Sequence, residues 1–579
     1  MREKIIKALQ DVTGANEIHL ESPENVEFGD YSSNVALQGN GLKVKGKSPR
    51  EKAENIITKL NEGRTLANVV DKIEVAGPGF INFWLKKDAL IDNLIQIITV
   101  RDKFGSSNLG NGKTVVIDYS SPNIAKRFGI GHLRSTLIGA ALYNLYKFLG
   151  YQVIGDNHLG DWGTQFGKLL YMIKTRNPKE LSIETLERLY VEFHKSADSD
   201  PSLKEKAREW FKKLEEGDPE AREIWQKCVD VSMNEFSRIY EMLGVKIDFA
   251  FGESYYETEM RQMLADPAVK KYLTRGEDGA AIIDLTEFGI KTPLMFLKKD
   301  GATTYAARDL AAIKFRVRKW DPSIIIYEVG AEQSLHFKQV FAAARLLGLV
   351  RDEVELVHTA HGLYLAPDGK KFSTRRGKTI RLEDVLLEAI EKAKKLGNGN
   401  EELAQKVGIG AIKYFDLMHS VRSDIVFDWN KMMNLEGNSG PYLQYTVART
   451  NSVLARSTFR GLSSEGEYSN LNSLNSEELL ILRVLIKFPE VVELAARSYA
   501  PNLLCNYLYD LASKFNGFYS RYRILDADGK RANNSLVSND KNKTGRLAQE
   551  NFRLALTFGV GQVLRNGLKL LGIDSPERM

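Results

Sequence analysis

The densest run of chemically capable residues lies between Asp118 and Thr136: Asp-Tyr-Ser-Ser-Pro-Asn-Ile-Ala-Lys-Arg-Phe-Gly-Ile-Gly-His-Leu-Arg-Ser-Thr. It follows the apolar triplet Val115, Val116 and Ile117, a composition suited to a strand buried on both faces of a parallel sheet. Beyond His132, Leu133, Leu137, Ile138, Ala141, Leu142, Leu145 and Leu149 recur at helical spacing, and Gly150 supplies a stop. Gly129 and Gly131 let the backbone approach a nucleotide closely, and the following helix N-terminus favours anionic phosphate. Gly129 also reads as a position where a side chain would clash with a nucleotide or where the backbone needs glycine. A short Gly-x-Gly-His turn equally suits an ordinary strand-to-helix loop, so spacing alone leaves both readings open.

A second basic cluster, Lys370, Lys371, Arg375, Arg376 and Lys378, follows the apolar Leu363-Tyr364-Leu365. Its place after a strand favours a ligand-facing loop over a merely solvated charge run. His358 and His361 form an H-x-x-H without a third ligand, and we read them as structural. Cys228 and Cys505 have no C-x-x-C partner and read as small buried hydrophobes, which fits a reducing cytosol and excludes a disulfide framework or cysteine zinc site. The start, Met-Arg-Glu-Lys-Ile-Ile-Lys, suits an amphipathic helix rather than a signal peptide, and no run of about 18 apolar residues is present, so no membrane segment is expected.

These residues need scaffolds, and 579 residues exceed one core. A first unit, 1–108, has a helical start, a polar loop at 29–34 and a strand at 79–85, and ends at the turn-rich 105–112. In a second unit, 109–404, the strand, glycine turn and helix after Val115 recur at Ile324–Ile326, Gly330 and His336–Leu347. This repetition implies α/β architecture with a doubly wound parallel sheet, whose ligands sit at the carboxyl ends of the strands. A charged helical insertion occupies about 165–245, and helical periodicity dominates 405–579 as an all-α bundle. Lys and Arg number 81 against 75 Asp and Glu, too small an excess to bind nucleic acid as a uniform field, though local patches suffice.

The 118–136 string resembles the H-I-G-H region of class I aminoacyl-tRNA synthetases in the form found in arginyl-tRNA synthetases. Further blocks resemble that family in its own order: Asn157–Gly167, Tyr305–Lys314, Gly330–Phe337, Gly440–Tyr445 with Arg449, and Val563–Ile573. They span nearly the whole chain. Two signatures depart from the family pattern. Gly129 replaces the first histidine, and the K-M-S-K-S loop reads Lys371-Phe372-Ser373-Thr374-Arg375. A lysine before H-I-G-H is thought to compensate in this family, and Lys126 holds that position.

The resemblance implies a Rossmann-like catalytic domain, an α+β N-terminal tRNA-binding domain and an α-helical anticodon-binding domain. The implied reaction is attack of the arginine carboxylate on the α-phosphorus of ATP, then transfer to the 3′-terminal adenosine of the tRNA, first at its 2′-hydroxyl, with tRNA needed for activation. Charge then builds on phosphate oxygens. Lys126, His132, Lys371 and Arg375 are expected to meet it; Gly129, Gly131, Lys370, Phe372 and Ser373 join His132 in ATP binding. Mg2+ accompanies ATP, and no tightly bound protein metal is expected. Arginine demands carboxylates matched to its planar fork. By resemblance, Asp309 and Tyr305 face the guanidinium with Glu253, Asn123, His158 and Gln333 hold the other end, and Asp118 helps at the amine. Without the resemblance, Asp309 would read as a surface partner of Arg308 or Lys314. Phe80, Asn82, Tyr442, Tyr445 and Arg449 match tRNA-contacting positions. The expected partners are the tRNA for arginine, L-arginine and ATP, and the expected form is a cytoplasmic monomer. The rivals are a sister class I synthetase and a catalytically impaired tRNA-binding paralogue.

Overall fold

The computed structural model describes the chain except for residues 24, 39–40, 277, 300, 371–380, 397–398, 458–473 and 526–540. The described chain divides into two compact units, one of Met1–Phe104, Arg449–Pro489 and Asp510–Leu564, the other of Gly105–Ala448, Glu490–Tyr509 and Arg565–Met579. Helices beyond residue 405 therefore contribute to both.

In the first unit, β1 (Leu20–Glu21), β2 (Tyr31–Ser33), β3 (Val70–Ala76) and β4 (Phe80–Leu85) form an antiparallel sheet in the order β1-β2-β4-β3. The helix Pro49–Gly63 packs on it, started by proline in its first turn and by Ser48, whose hydroxyl accepts the Glu51 N–H. The polar string 29–34, expected as a loop, instead supplies β2. Two of its buried polar groups are matched: Ser32 Oγ donates to Asn82 Oδ1 at 2.7 Å, and the Asp30 carboxylate accepts the Leu85 N–H at 2.7 Å and pairs with Arg483 at 2.8 Å. Composition alone does not reveal such cross-strand partners.

The second unit contains β5 (Thr114–Asp118), β6 (Gln152–Asp156), β7 (Leu273–Arg275), β8 (Ala281–Ile283), β9 (Leu294–Leu297), β10 (Ile324–Tyr327), β11 (Glu355–His358), β12 (Tyr364–Leu365) and β13 (Ile425–Val426). Four form a parallel sheet in the order β11-β10-β5-β6. Val115, Val116, Ile117, Ile325 and Ile326 are fully buried in it, each stabilising by roughly 1.5–3 kcal/mol.

From β5 the chain crosses through the helix Leu133–Phe148 to β6; from β10 it crosses through Ser334–Leu346 to β11, in the opposite direction. Right-handed crossovers put those helices on opposite faces, so a crevice opens outside the carboxyl ends of β5 and β10. The insertion is four helices, Thr164–Arg176, Ile183–Ser199, Ser202–Glu216 and Pro219–Leu243. The antiparallel β7-β8-β9 sheet, absent from the sequence-based expectation, follows them. Its strands have only three or four residues, too few to display a period.

Candidate active site

At the floor of the crevice, Asp118 ends β5 and Asp156 ends β6. Both carboxylates meet Arg316: Asp118 Oδ2 at 2.7 Å from Nη2, and Asp156 Oδ2 at 2.8 Å from Nη2 and 2.9 Å from Nε. The Arg316 side chain is wholly buried, with the Tyr327 ring 5.2 Å away. Burial pushes the Asp156 carboxyl up and Arg316 opposes the shift. Asp118, expected beside an amine, is thus also a partner of a buried cation. Its other oxygen accepts the Ser121 hydroxyl at 3.1 Å. Arg316 went unread in the sequence, where it stands among Lys314, Arg318 and Lys319 with nothing local to single it out.

The turn after β5 is held in an unusual backbone path. Ser120, Ser121 and Ala125 have φ of 76°, 45° and 62°, each such residue storing on the order of 1–3 kcal/mol. Side chains from elsewhere fix it. The Ser120 N–H donates to Ser135 Oγ at 2.9 Å, the Ser121 N–H to Asn157 Oδ1 at 3.0 Å, and the Ala125 N–H to Ser232 Oγ at 2.9 Å. Asn123 bridges to Gly160, where a Cβ would stand 2.4 Å from Asn123 Oδ1, so any side chain there requires Asn123 to move.

The signature follows as a 3-10 turn, Ile130–His132, leading into the helix. Gly129 is extended, with φ −90° and ψ 161°, a conformation open to any residue, so the expectation that its backbone needs glycine is corrected. A Cβ on Gly131 would meet nothing within 4 Å. His132 lies edge-on to Phe128 at 5.3 Å; burial, with Lys126 and His361 nearby, lowers its imidazole to about 4, so it is neutral at pH 7. Among the described residues, its buried Nδ1 meets no hydrogen-bond partner. Lys126 is exposed.

Lys370 is exposed and closes a hairpin in which the Ala366 N–H donates to its carbonyl at 2.8 Å; Lys371, Phe372, Ser373 and Arg375 lie outside the described residues. Immediately afterwards, Arg381 bridges to Gly129, and the Leu382 N–H donates to the Phe128 carbonyl at 3.0 Å.

A second cluster gathers Glu253, Asp309 and His158. Glu253 Oε2 is 2.6 Å from Arg308 Nη1; burial raises its carboxyl while Arg308 opposes the shift, and His158 and Asp309 act on it electrostatically. Asp309 pairs with neither Arg308 nor Lys314, which turns to Glu259 at 3.6 Å. It stands instead between His336 Nε2 at 2.5 Å and His158 Nε2 at 3.8 Å, and His158 rests 5.5 Å from the Tyr256 ring. Tyr305 begins the same helix one turn earlier and is 64% exposed. Gln333, exposed, closes the turn after β10.

Of the H-x-x-H pair, His358 Nε2 contacts the Val329 carbonyl at 2.9 Å and His361 Nδ1 contacts buried Glu328 at 2.8 Å. No metal-capable cluster occurs among the described residues. In the first unit, Asn82 is buried against Ser32, Phe80 is half-buried at the head of β4, and Arg449 donates to Asn516 at 2.6 Å. In the second, Tyr442 packs 5.8 Å from Tyr509, and Tyr445 is 38% exposed.

A parallel sheet with a glycine-histidine turn at its switch point defines the class I tRNA synthetase catalytic fold. Residues 94–429 match the model described as "tRNA synthetases class I (R), catalytic domain", 1–85 the arginyl tRNA synthetase N terminal domain, and 443–579 the DALR anticodon binding domain. The chain belongs to the arginyl-tRNA synthetase family. It is 39% identical to an arginine–tRNA ligase of Clostridium botulinum over 97% of this chain and 96% of that relative, and 39% identical to one of Enterococcus faecalis over 100% of both. Among solved structures, the arginyl-tRNA synthetase of Plasmodium falciparum superposes with a TM-score of 0.81 at 27% identity, covering 100% of this chain and 98% of its own. That of Thermus thermophilus, at 22% identity and TM-score 0.79 over 100% and 99%, shares the fold.

Proposed function

We propose that this chain activates L-arginine with ATP and esterifies it to the 3′-terminal adenosine of its tRNA, giving arginyl-tRNA, AMP and diphosphate. The carrying observation is Asp309, a partly buried carboxylate with no fixed Arg or Lys partner among the described residues, beside Glu253 and His158 in the unit that holds the signature turn. A desolvated guanidinium requires such a partner.

At the nucleotide end, the open space at Gly131 and the unmatched Nδ1 of His132 suit ATP. Neutral His132 serves as a hydrogen-bonding group and exposed Lys126 as the mobile cation, with Lys371 and Arg375 from the second signature. Together they oppose charge growing on the phosphate oxygens as diphosphate leaves. Mg2+ travels with ATP on its phosphates. We assign tRNA binding to 1–108 and 405–579, with Phe80, Asn82, Tyr442, Tyr445 and Arg449 as contacts, and catalysis to 109–404.

No described helix is long and apolar enough to cross a membrane; two buried free thiols support a reducing cytoplasm, and a monomer is our reading of the assembly. ATP–diphosphate exchange with total tRNA and each amino acid in turn tests the reaction. Exchange with arginine alone is expected, whereas exchange with another amino acid, or with none, contradicts it.

A further inference from the structure

Asp309 offers its two oxygens to different neighbours. Oδ2 lies 2.5 Å from His336 Nε2, a direct hydrogen bond, while Oδ1 lies 3.8 Å from His158 Nε2, beyond one. His336 stands in the first turn of Ser334–Leu346, three residues after Gln333, its ring edge-on to Phe337 at 5.2 Å. Asp309 lies one turn after Tyr305. The other charged or titratable groups acting on this carboxylate are Glu253, closed by Arg308 at 2.6 Å, and Tyr327, whose hydroxyl burial holds protonated. With Glu253 compensated, Asp309 is the carboxylate of this group that no Arg or Lys among the described residues pairs with.

We propose that His336 is a specificity-positioning residue: its Nε2–H fixes Oδ2 of Asp309, leaving Oδ1 turned toward the guanidinium of the substrate arginine. The imidazole thereby engages Oδ2 alone and leaves Oδ1 to accept from the forked donors of the substrate cation. The same contact joins the helix expected to hold the guanidinium to the one that Gln333 precedes, so both ends of the amino acid are gauged against one frame. The inference rests on Asp309 as the guanidinium partner.

The test is tRNA-dependent ATP–diphosphate exchange by wild type, His336→Leu, His336→Gln and Asp309→Asn, with arginine and ATP varied separately. His336→Leu is expected to raise the arginine KM about tenfold or more, the loss of one charge-assisted hydrogen bond, with ATP KM and kcat nearly unchanged. His336→Gln, which keeps an N–H donor, should recover most of that KM. A wild-type arginine KM in His336→Leu, or an arginine KM in His336→Gln as high as that of His336→Leu, overturns the role of His336. A wild-type arginine KM in Asp309→Asn overturns the pocket itself.

Discussion

Arg134 Nε and Asp416 Oδ2 stand 3.6 Å apart, with side chains only 1% and 0% exposed. Arg134 follows His132 by two residues, and Asp416 sits in the last turn of the helix Glu401–Leu417. The guanidinium also donates to the carbonyls of Ser420, at 3.3 Å, and Ser423. β13 begins two residues later and pairs with β12, which leads into the second signature; the far end of that segment is stitched to Phe128 and Gly129. The first signature therefore holds Arg381 and Leu382 directly and reaches β12 through β13.

Removing this cation should leave a buried carboxylate whose burial already raises its pKa. Arg134→Met is expected to lose about 3–5 kcal/mol in urea unfolding. Arg134→Lys keeps the charge but not the forked contacts, and should raise the ATP KM more than the arginine KM. Equal effects on both would separate Arg134 from the nucleotide end.

Two glycines should behave oppositely. Gly129 is extended, so Gly129→Ala should change stability by no more than about 0.5 kcal/mol. Gly160→Ala drives a Cβ to 2.4 Å from Asn123 Oδ1 and should displace Asn123, lowering exchange and melting temperature together. Thermal melts of the two variants decide between this contrast and a general glycine requirement.

His132 has a folded-state pKa of about 4 against an ordinary 6.5. Because the lowered group takes its proton first in the unfolded chain, stability is fully present above about pH 6.5 and declines as pH falls toward about 4. The whole window corresponds to on the order of 3 kcal/mol. Histidine NMR, assigned by loss of one resonance in His132→Gln, should show this ring titrating near 4; titration near 6.5 would contradict the burial argument.

Lys126 is exposed, so Lys126→Ala should leave stability intact. If it supplies charge at the departing diphosphate, exchange with cognate tRNA should fall about 10²- to 10³-fold. An unchanged rate would place that stabilisation elsewhere.

How far the sequence revealed this depended on whether the signal was local. The apolar triplets at 115–117 and 324–326 and the leucine period after His132 announced β5, β10 and their helices because burial on both faces leaves a continuous apolar run. The string 29–34 concealed β2, since its polarity is answered by Asn82 and Arg483, far along the chain. The same limit applied to the site. Asp309 and His158 were named through family blocks and Glu253 through the resemblance as a whole, but Arg308 on Glu253, Arg316 on Asp118 and His336 on Asp309 are long-range pairings that no spacing encodes.

The most direct measurement is the arginine KM of Asp309→Asn in tRNA-dependent exchange. Loss of one ionic partner from a desolvated guanidinium should weaken arginine use by about 2–5 kcal/mol, roughly 30-fold or more, with ATP KM nearly constant. Wild-type arginine kinetics in that variant would contradict the account of what this chain recognises.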